Sequence, residues 1–160
     1  MTIQNNAYLY LLNAFFYHSP KLMLYLYNTY SSKEDLLSNV STIQSQFSLK
    51  TKDLSKKIAQ FDLNKERILL EKHHIKMLTF EDPSYPALLK ECPDYPLLLF
   101  YKGELTLINQ PQIAIVGPRK ASDYGLEVAR YFSKELSSYF VLTSGCAEGI
   151  DAVTHQMCLN

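Results

Sequence analysis

Glycine is scarce in this chain, and its first 102 residues contain none. The 160 residues include five glycines, of which Gly103 is the first. Glycine is the usual residue where a turn needs a positive φ or where another backbone approaches closely. The glycines are therefore confined to the last part of the chain.

Long apolar runs and export signals are also missing. The longest apolar stretches, 7–17 and 22–27, are shorter than the roughly 20 residues that a membrane-spanning helix needs. The N-terminus lacks the basic start and the small-residue cleavage site of a secretory signal. We expect no membrane partner and a cytoplasmic location.

Cysteine spacing and net charge bear on the state of the thiols, on metal binding and on nucleic-acid binding. Cys92, Cys146 and Cys158 form no C-x-x-C pair, which favours reduced thiols and indicates no metal site. The 16 basic and 16 acidic residues cancel, so the overall charge gives no argument for nucleic-acid binding. The stretch from Lys50 to Lys76 carries eight basic residues against four acidic ones, which is typical of a solvated helical face. Its role stays open.

Helical signals dominate residues 1–74. Ser19-Pro20 is typical of an N-cap followed by proline at the first helical position. Ser31-x-x-Glu34 predicts a capping box, and Ser41 predicts the start of a further short helix. Several short helices with polar links predict a small bundle.

The composition changes near residue 75, where strand-like runs begin to alternate with helices. The predicted strands are 75–80, 97–101, 112–116 and 140–143, and the main predicted helices are 122–138 and 149–159. Such alternation predicts parallel pairing with right-handed crossovers. The predicted fold class is therefore α/β, a small helical domain followed by a parallel sheet.

Two glycine-bearing turns, 117–125 and 144–151, each follow a short apolar run and each open a predicted helix. At the carboxyl ends of parallel strands, turn amides and helix N-termini carry partial positive charge and collect anionic ligands. The repeated pattern predicts a double cradle for a phosphate-bearing ligand.

The first turn supplies three candidate residues. The planar donors of Arg119 suit a phosphodiester oxygen, and a surface salt bridge is the alternative role. Ser122 either caps the next helix or donates to a phosphate. Gly117 either permits close backbone approach or only makes a tight turn.

The second turn raises the question of catalysis. Asp151 either caps the helix or pairs with His155, four residues further on. No serine or cysteine has an evident nucleophile setting, so we predict no catalytic residue. Gly117-Pro-Arg-Lys is not G-x-G-x-x-G, and no G-K-[ST] occurs, so we predict no nucleotide cofactor.

These turns and the segment before them resemble the DNA-processing protein family called DprA or Smf. The resemblance rests on three consecutive blocks, Tyr85-Pro-Ala-Leu-Leu-Lys with Asp94-Tyr-Pro-Leu-Leu-Leu-Phe-Tyr-Lys-Gly103, then residues 113–125, then residues 144–155. It implies a helical domain over 1–74, similar to a sterile-alpha-motif-like (SAM-like) domain. It also implies the truncated first half of a Rossmann-like DNA-binding domain over 75–160.

The resemblance implies a non-catalytic protein that binds and protects single-stranded DNA in natural transformation and helps to load the recombinase RecA. The DNA-binding residues that it implies are Gly117, Pro118, Arg119, Lys120, Ser122, Ser144, Gly145, Ala147 and Gly149. Two departures bear on affinity. Pro118 stands where the family usually has serine or threonine, and Glu148 stands where it usually has a basic or neutral residue.

Other possibilities stay open. A nucleotide-processing enzyme of related topology, such as a phosphoribohydrolase, would need a catalytic acidic motif that these residues do not supply. The helical domain would alternatively serve as a protein-interaction module. Because relatives continue beyond residue 160, we expect an exposed apolar edge beside 113–116 and Val141. That edge predicts either a homo-oligomer or a chain cut from a longer protein.

Overall fold

The computed structural model describes residues 3–159, with the side chains of residues 6–159. The chain divides into two compact units between Leu105 and Thr106. In chain order the elements are α1 (Ile3–Phe16), α2 (Pro20–Thr29), α3 (Lys33–Gln46), α4 (Leu54–Gln60), α5 (Leu63–Lys72), β1 (Lys76–Thr79), α6 (Ala87–Lys90), β2 (Leu98–Tyr101), a 3-10 helix (Leu105–Asn109), β3 (Gln112–Ala114), α7 (Asp123–Leu136), β4 (Val141–Thr143) and α8 (Ile150–Cys158). The predicted α/β class is confirmed. Within residues 3–159, no helix has both the length and the apolar composition needed to cross a membrane.

The helices of the first unit enclose one apolar core. Buried side chains recur at intervals of three and four residues, as helical periodicity requires. Leu36, Val40 and Ile43 form such a series on α3. Leu26 of α2 and Ile58 of α4 belong to the same buried cluster. The predicted helical start of the chain is confirmed.

The helix starts were predicted with mixed success. Ser19 is the N-cap of α2, as predicted. The capping box was placed one residue too early, because Ser32 is the N-cap of α3 and its Oγ accepts from Asp35 N at 3.1 Å. Asp35 Oδ2 accepts from the N–H of Ser31, the residue before the N-cap, at 3.0 Å, so Asp35 and not Glu34 closes the start of the helix. The predicted helix start at Ser41 is wrong, because Ser41 lies inside α3.

Strands β1 and β2 differ from the expectation of parallel pairing. They pair antiparallel, with Lys76 opposite Tyr101 and Thr79 opposite Leu98. Their connection carries only the four-residue helix α6, which is shorter than the crossover that a parallel pair needs. Leu97 and Leu98 are buried in the same cluster as the helices.

This shared core explains where the units divide. The compact units separate after Leu105, whereas the composition of the sequence changes near residue 75. Buried leucines at and beside β2 belong to the helical core. The boundary between the units therefore follows side-chain packing and not the change in composition. The assignment of 1–74 to a SAM-like domain and of 75–160 to a Rossmann-like domain stays a prediction.

Strands β3 and β4 of the second unit pair in parallel, as predicted. Gln112 lies opposite Val141, and Ala114 lies opposite Thr143. Helix α7 connects the two strands and α8 follows β4, with Ala129, Ile150 and Val153 as their buried core. Both glycine turns therefore begin at the carboxyl ends of adjacent strands.

An apolar groove of about 530 Å³ lies between β3 and α7. Its lining includes Ile113, Ile115, Val116, Val128 and Phe132. Strand β4 pairs with one edge of β3, and no strand within residues 3–159 pairs with the other edge. The expected apolar edge is therefore present, while the expected self-association stays a prediction.

Candidate functional site

The first glycine turn, residues 115–122, connects β3 to α7. Gly117 packs against α8, because a Cβ at this position would stand 2.6 Å from Ile150 Cγ1. Ser122 caps α7, with its Oγ accepting from Gly125 N at 3.2 Å. The cap uses a lone pair of the hydroxyl, so the hydroxyl hydrogen can still donate to a ligand.

The second glycine turn, residues 144–149, connects β4 to α8 and touches the first. Gly149 has φ +81°, a value that glycine adopts readily, and a Cβ there would stand 2.5 Å from the Arg119 carbonyl oxygen. It would also collide with the Pro118 carbonyl oxygen. Ser144 Oγ donates to the Ile115 carbonyl oxygen at 2.7 Å. These contacts hold the two turns side by side.

Most backbone N–H groups of the two turns are unpaired. Within residues 3–159, eleven of these amides donate to no protein acceptor, those of Val116, Gly117, Arg119, Lys120, Ala121, Ser122, Ser144, Gly145, Cys146, Glu148 and Gly149. Ala147 differs, because its N–H donates to Asp151 Oδ2 at 3.4 Å. Unpaired amides at strand ends and helix N-termini are suited to bind anions.

Arg119 and Lys120 add two cations to the exposed side of the first turn. Neither side chain forms an ion pair in the part of the chain that the structure describes, so the salt bridge considered for Arg119 is not found there. Asp123 and Glu148 are exposed carboxylates of the same two turns and their helices. The net charge of these side chains is therefore small, and the backbone N–H groups are the main source of partial positive charge on the two turns.

Asp151 and His155 do not form the pair that the sequence left open. Asp151 is 7% exposed and lies beneath the second turn, where a Cβ on Gly145 would stand 2.9 Å from its Oδ2. No donor among the described residues reaches Asp151 Oδ1. His155 Nε2 instead lies 3.6 Å from Cys146 Sγ.

Sequence reasoning missed this contact between Cys146 and His155. The two residues are nine positions apart, across a turn and a helix, and this separation matches no recognised motif. The signal that was available is the position of Cys146 inside a glycine turn that opens a helix. Only the fold of that turn reveals which side chain faces the thiol.

The described residues 3–159 contain no group of three His, Cys, Asp or Glu side chains that would hold a metal ion. The thiol of Cys158 lies on α8, and its Sγ donates to the Thr154 carbonyl oxygen at 3.2 Å. Burial raises the pKa of Cys158. Cys158 is exposed as a residue, and its thiol is tied to the backbone of α8 by this hydrogen bond.

We expect Gly149→Ala to separate the two turns. The new Cβ would meet two backbone carbonyls, which cannot rotate away as side chains can, and the positive φ adds strain of about 1–3 kcal/mol. Hydrogen exchange of peptides that cover α7 and α8 should therefore speed up by roughly tenfold or more.

Gly103→Ala is the matched control for that experiment. Gly103 also has a positive φ, +89°, but a Cβ there would meet no atom within 4 Å. It should leave exchange in the α7 and α8 peptides unchanged. Equal exchange in Gly149→Ala and the unmodified chain would show that the turns are not held by this contact.

Comparison with known proteins identifies relatives of this chain. Residues 76–160, just over half of the chain, match the family model described as DNA recombination-mediator protein A. The DNA processing protein DprA of Streptococcus pneumoniae is 41% identical over 78 residues, which are 49% of this chain and 28% of that protein. DprA of Bacillus subtilis is 33% identical over 141 residues, 86% of this chain and 47% of that protein.

A solved structure is similar to the whole fold. The X-ray structure of DNA processing protein A (DprA) from Streptococcus pneumoniae matches with a TM-score of 0.70 and 28% sequence identity. The match covers 99% of this chain and 55% of that chain. This chain spans less than half the length of each of the two curated relatives described above. The chain belongs to the DNA recombination-mediator protein A family, whose members include the DprA and Smf proteins.

Proposed function

We propose that this chain binds the phosphate backbone of single-stranded DNA without catalysing a reaction on it. The observation that carries the proposal is the row of unpaired amides on two touching turns, beside an exposed and unpaired Arg119, within the described residues. Main-chain donors and a guanidinium recognise phosphate oxygens irrespective of base identity. Weak sequence preference follows from this mode of contact.

An exposed aromatic side chain favours single strands over duplex. Tyr124 is 77% exposed in the first turn of α7, close to the Ser122 cap and next to Asp123. Bases of a single strand are free to stack on aromatic rings, and such stacking tolerates any base. The paired bases of a duplex are already stacked on one another. Sequence analysis did not include Tyr124 among the candidate site residues.

The family supports the biological setting of this proposal. The family is described as DNA recombination-mediator protein A, and the two DprA relatives are named DNA processing proteins. We extend the proposal accordingly to protection of the bound strand in natural transformation and to loading of RecA. The chain spans only part of the length of these relatives. We therefore assign strand binding to the two turns of this chain, and we assign strand protection and RecA loading to full-length members of the family.

Arg119→Ala should weaken binding to an oligothymidine and flatten its salt dependence. Each neutralised phosphate of a single strand contributes about −0.7 to the slope of log affinity against log salt, so two cations give about −1.4. Removing one cation should halve that slope to about −0.7 and lower affinity by roughly threefold to tenfold at low salt. Fluorescence anisotropy across a salt series measures both quantities.

Arg130→Ala provides the charge-matched control. Arg130 is exposed on α7, in the same unit and outside both turns. Its removal changes the net charge equally and should leave affinity and slope close to those of the unmodified chain. If Arg130→Ala and Arg119→Ala weaken binding equally, the contact at Arg119 is not specific and the proposed site is wrong.

Glu148→Gln should strengthen binding. The Glu148 carboxylate is exposed on the second turn and has no cationic partner within the described residues, so it repels a phosphate bound at the turns. We expect affinity for the same oligothymidine to rise by roughly twofold to fivefold at low salt, with the gain shrinking as salt screens the charge. Glu135→Gln, on the distal part of α7, should not change affinity. Weaker binding in Glu148→Gln would contradict the placement of DNA at the second turn.

A further inference from the structure

The second glycine turn carries a thiol and an imidazole in contact. Cys146 Sγ and His155 Nε2 are 3.6 Å apart, within hydrogen-bond distance for sulfur. Cys146 is exposed to solvent. With its proton on Nδ1, His155 presents Nε2 as the acceptor for the thiol hydrogen. An accessible thiol beside a base is the arrangement that makes cysteines reactive.

The backbone places this thiol in a tight and unusual position. Cys146 has φ +56°, in the left-handed region that residues with a side chain seldom adopt. The turn holds it there between Gly145 and the amide of Ala147, which is anchored to Asp151. Cys146 lies in the turn that leads into α8, on the side of the N-terminus of that helix.

A buried carboxylate, Asp151, lies beneath the same turn. Its carboxylate is more than nine-tenths buried, and Oδ1 has no hydrogen-bond donor among the described residues. Asp151 and His155 are four residues apart on α8 and so share a face of the helix. No contact joins Asp151 to His155 among the described residues, and Asp151 instead holds the turn through the N–H of Ala147. Asp151 and Glu148 also place negative charge near the turn, which opposes the thiolate itself.

We propose that Cys146 is a site of reversible modification by disulfide exchange with a low-molecular-weight disulfide such as glutathione disulfide. His155 accepts the proton of the thiol, and the Cys146 sulfur attacks one sulfur of the disulfide. A protein–glutathione S–S bond forms as the original S–S bond breaks, and the departing thiolate takes up the proton. Cys146 is oxidised, and one half of the glutathione disulfide is reduced to glutathione.

The other two cysteines are controls that the chain itself provides. Cys92 is exposed like Cys146 but has no imidazole contact among the described residues. The thiol of Cys158 donates to a backbone carbonyl, and burial raises its pKa. One labelling reaction on the unmodified chain therefore compares three different thiol environments.

The direct test is a time course with glutathione disulfide at neutral pH, read residue by residue by mass spectrometry. We expect Cys146 to react at least about fivefold faster than Cys92, and Cys158 to react most slowly. A rate for Cys146 equal to or below that of Cys92 would overturn the proposal. Because this comparison uses the unmodified chain, it does not depend on the folding of a variant.

A substitution at the base tests the role of the contact. His155→Asn should lower the rate at Cys146 by at least about threefold and leave the rate at Cys92 unchanged. Amide spectra and thermal unfolding establish that the variant is folded. An unchanged rate at Cys146 in the folded variant would show that exposure alone, and not His155, sets its reactivity.

A consequence for DNA rests on the proposed function. Glutathione carries two carboxylates, and its attachment to the second turn would fill and charge the surface that we assign to phosphate. Treatment with glutathione disulfide should then weaken oligothymidine binding in the unmodified chain and have no effect on Cys146→Ser. If Cys146 is modified and oligothymidine binding is unchanged, the proposal of a reactive thiol is supported and the placement of DNA at the second turn is wrong.

Discussion

The contact of Gly149 with the backbone of Pro118 and Arg119 is the constraint on which the proposed site depends. Each turn alone offers only a few amides at the end of a short strand. The close approach at Gly149, together with the hydrogen bond from Ser144 to the Ile115 carbonyl oxygen, brings the donors of both turns to one surface. Because β3 and β4 pair in parallel, both strands end at the same edge of the sheet, and both turns begin there.

The site has few side-chain cations, and this shapes its chemistry. Arg119 and Lys120 face two exposed carboxylates, Asp123 and Glu148, so attraction at long range is weak. Short-range hydrogen bonds from unpaired amides must then supply much of the affinity. Such bonds recognise phosphate geometry and ignore the bases. Cys146 belongs to the second turn, so the proposed attachment of glutathione would add negative charge to the proposed phosphate-binding surface.

The sequence predicted the elements that recur as strand, glycine turn and helix, because that pattern is local. It placed Gly117, Arg119 and Gly149 in turns after strands, where the structure has them. It did not predict the antiparallel pairing of β1 and β2, which depends on the brevity of α6 and on leucines buried against distant helices. It also left open whether Asp151 caps α8 or pairs with His155, and the fold instead places His155 against Cys146. Contacts set by tertiary packing were the ones that sequence reasoning missed.

Amide NMR spectra recorded during titration with a short oligothymidine test the central claim most directly. The account predicts shifts in both turns at once, at residues 115–122 and 144–149, with saturation at a single affinity. It also predicts that duplex DNA of the same length produces smaller changes. Shifts confined to one turn, or to the basic stretch from Lys50 to Lys76, would contradict the claim that the two turns form one phosphate-binding surface.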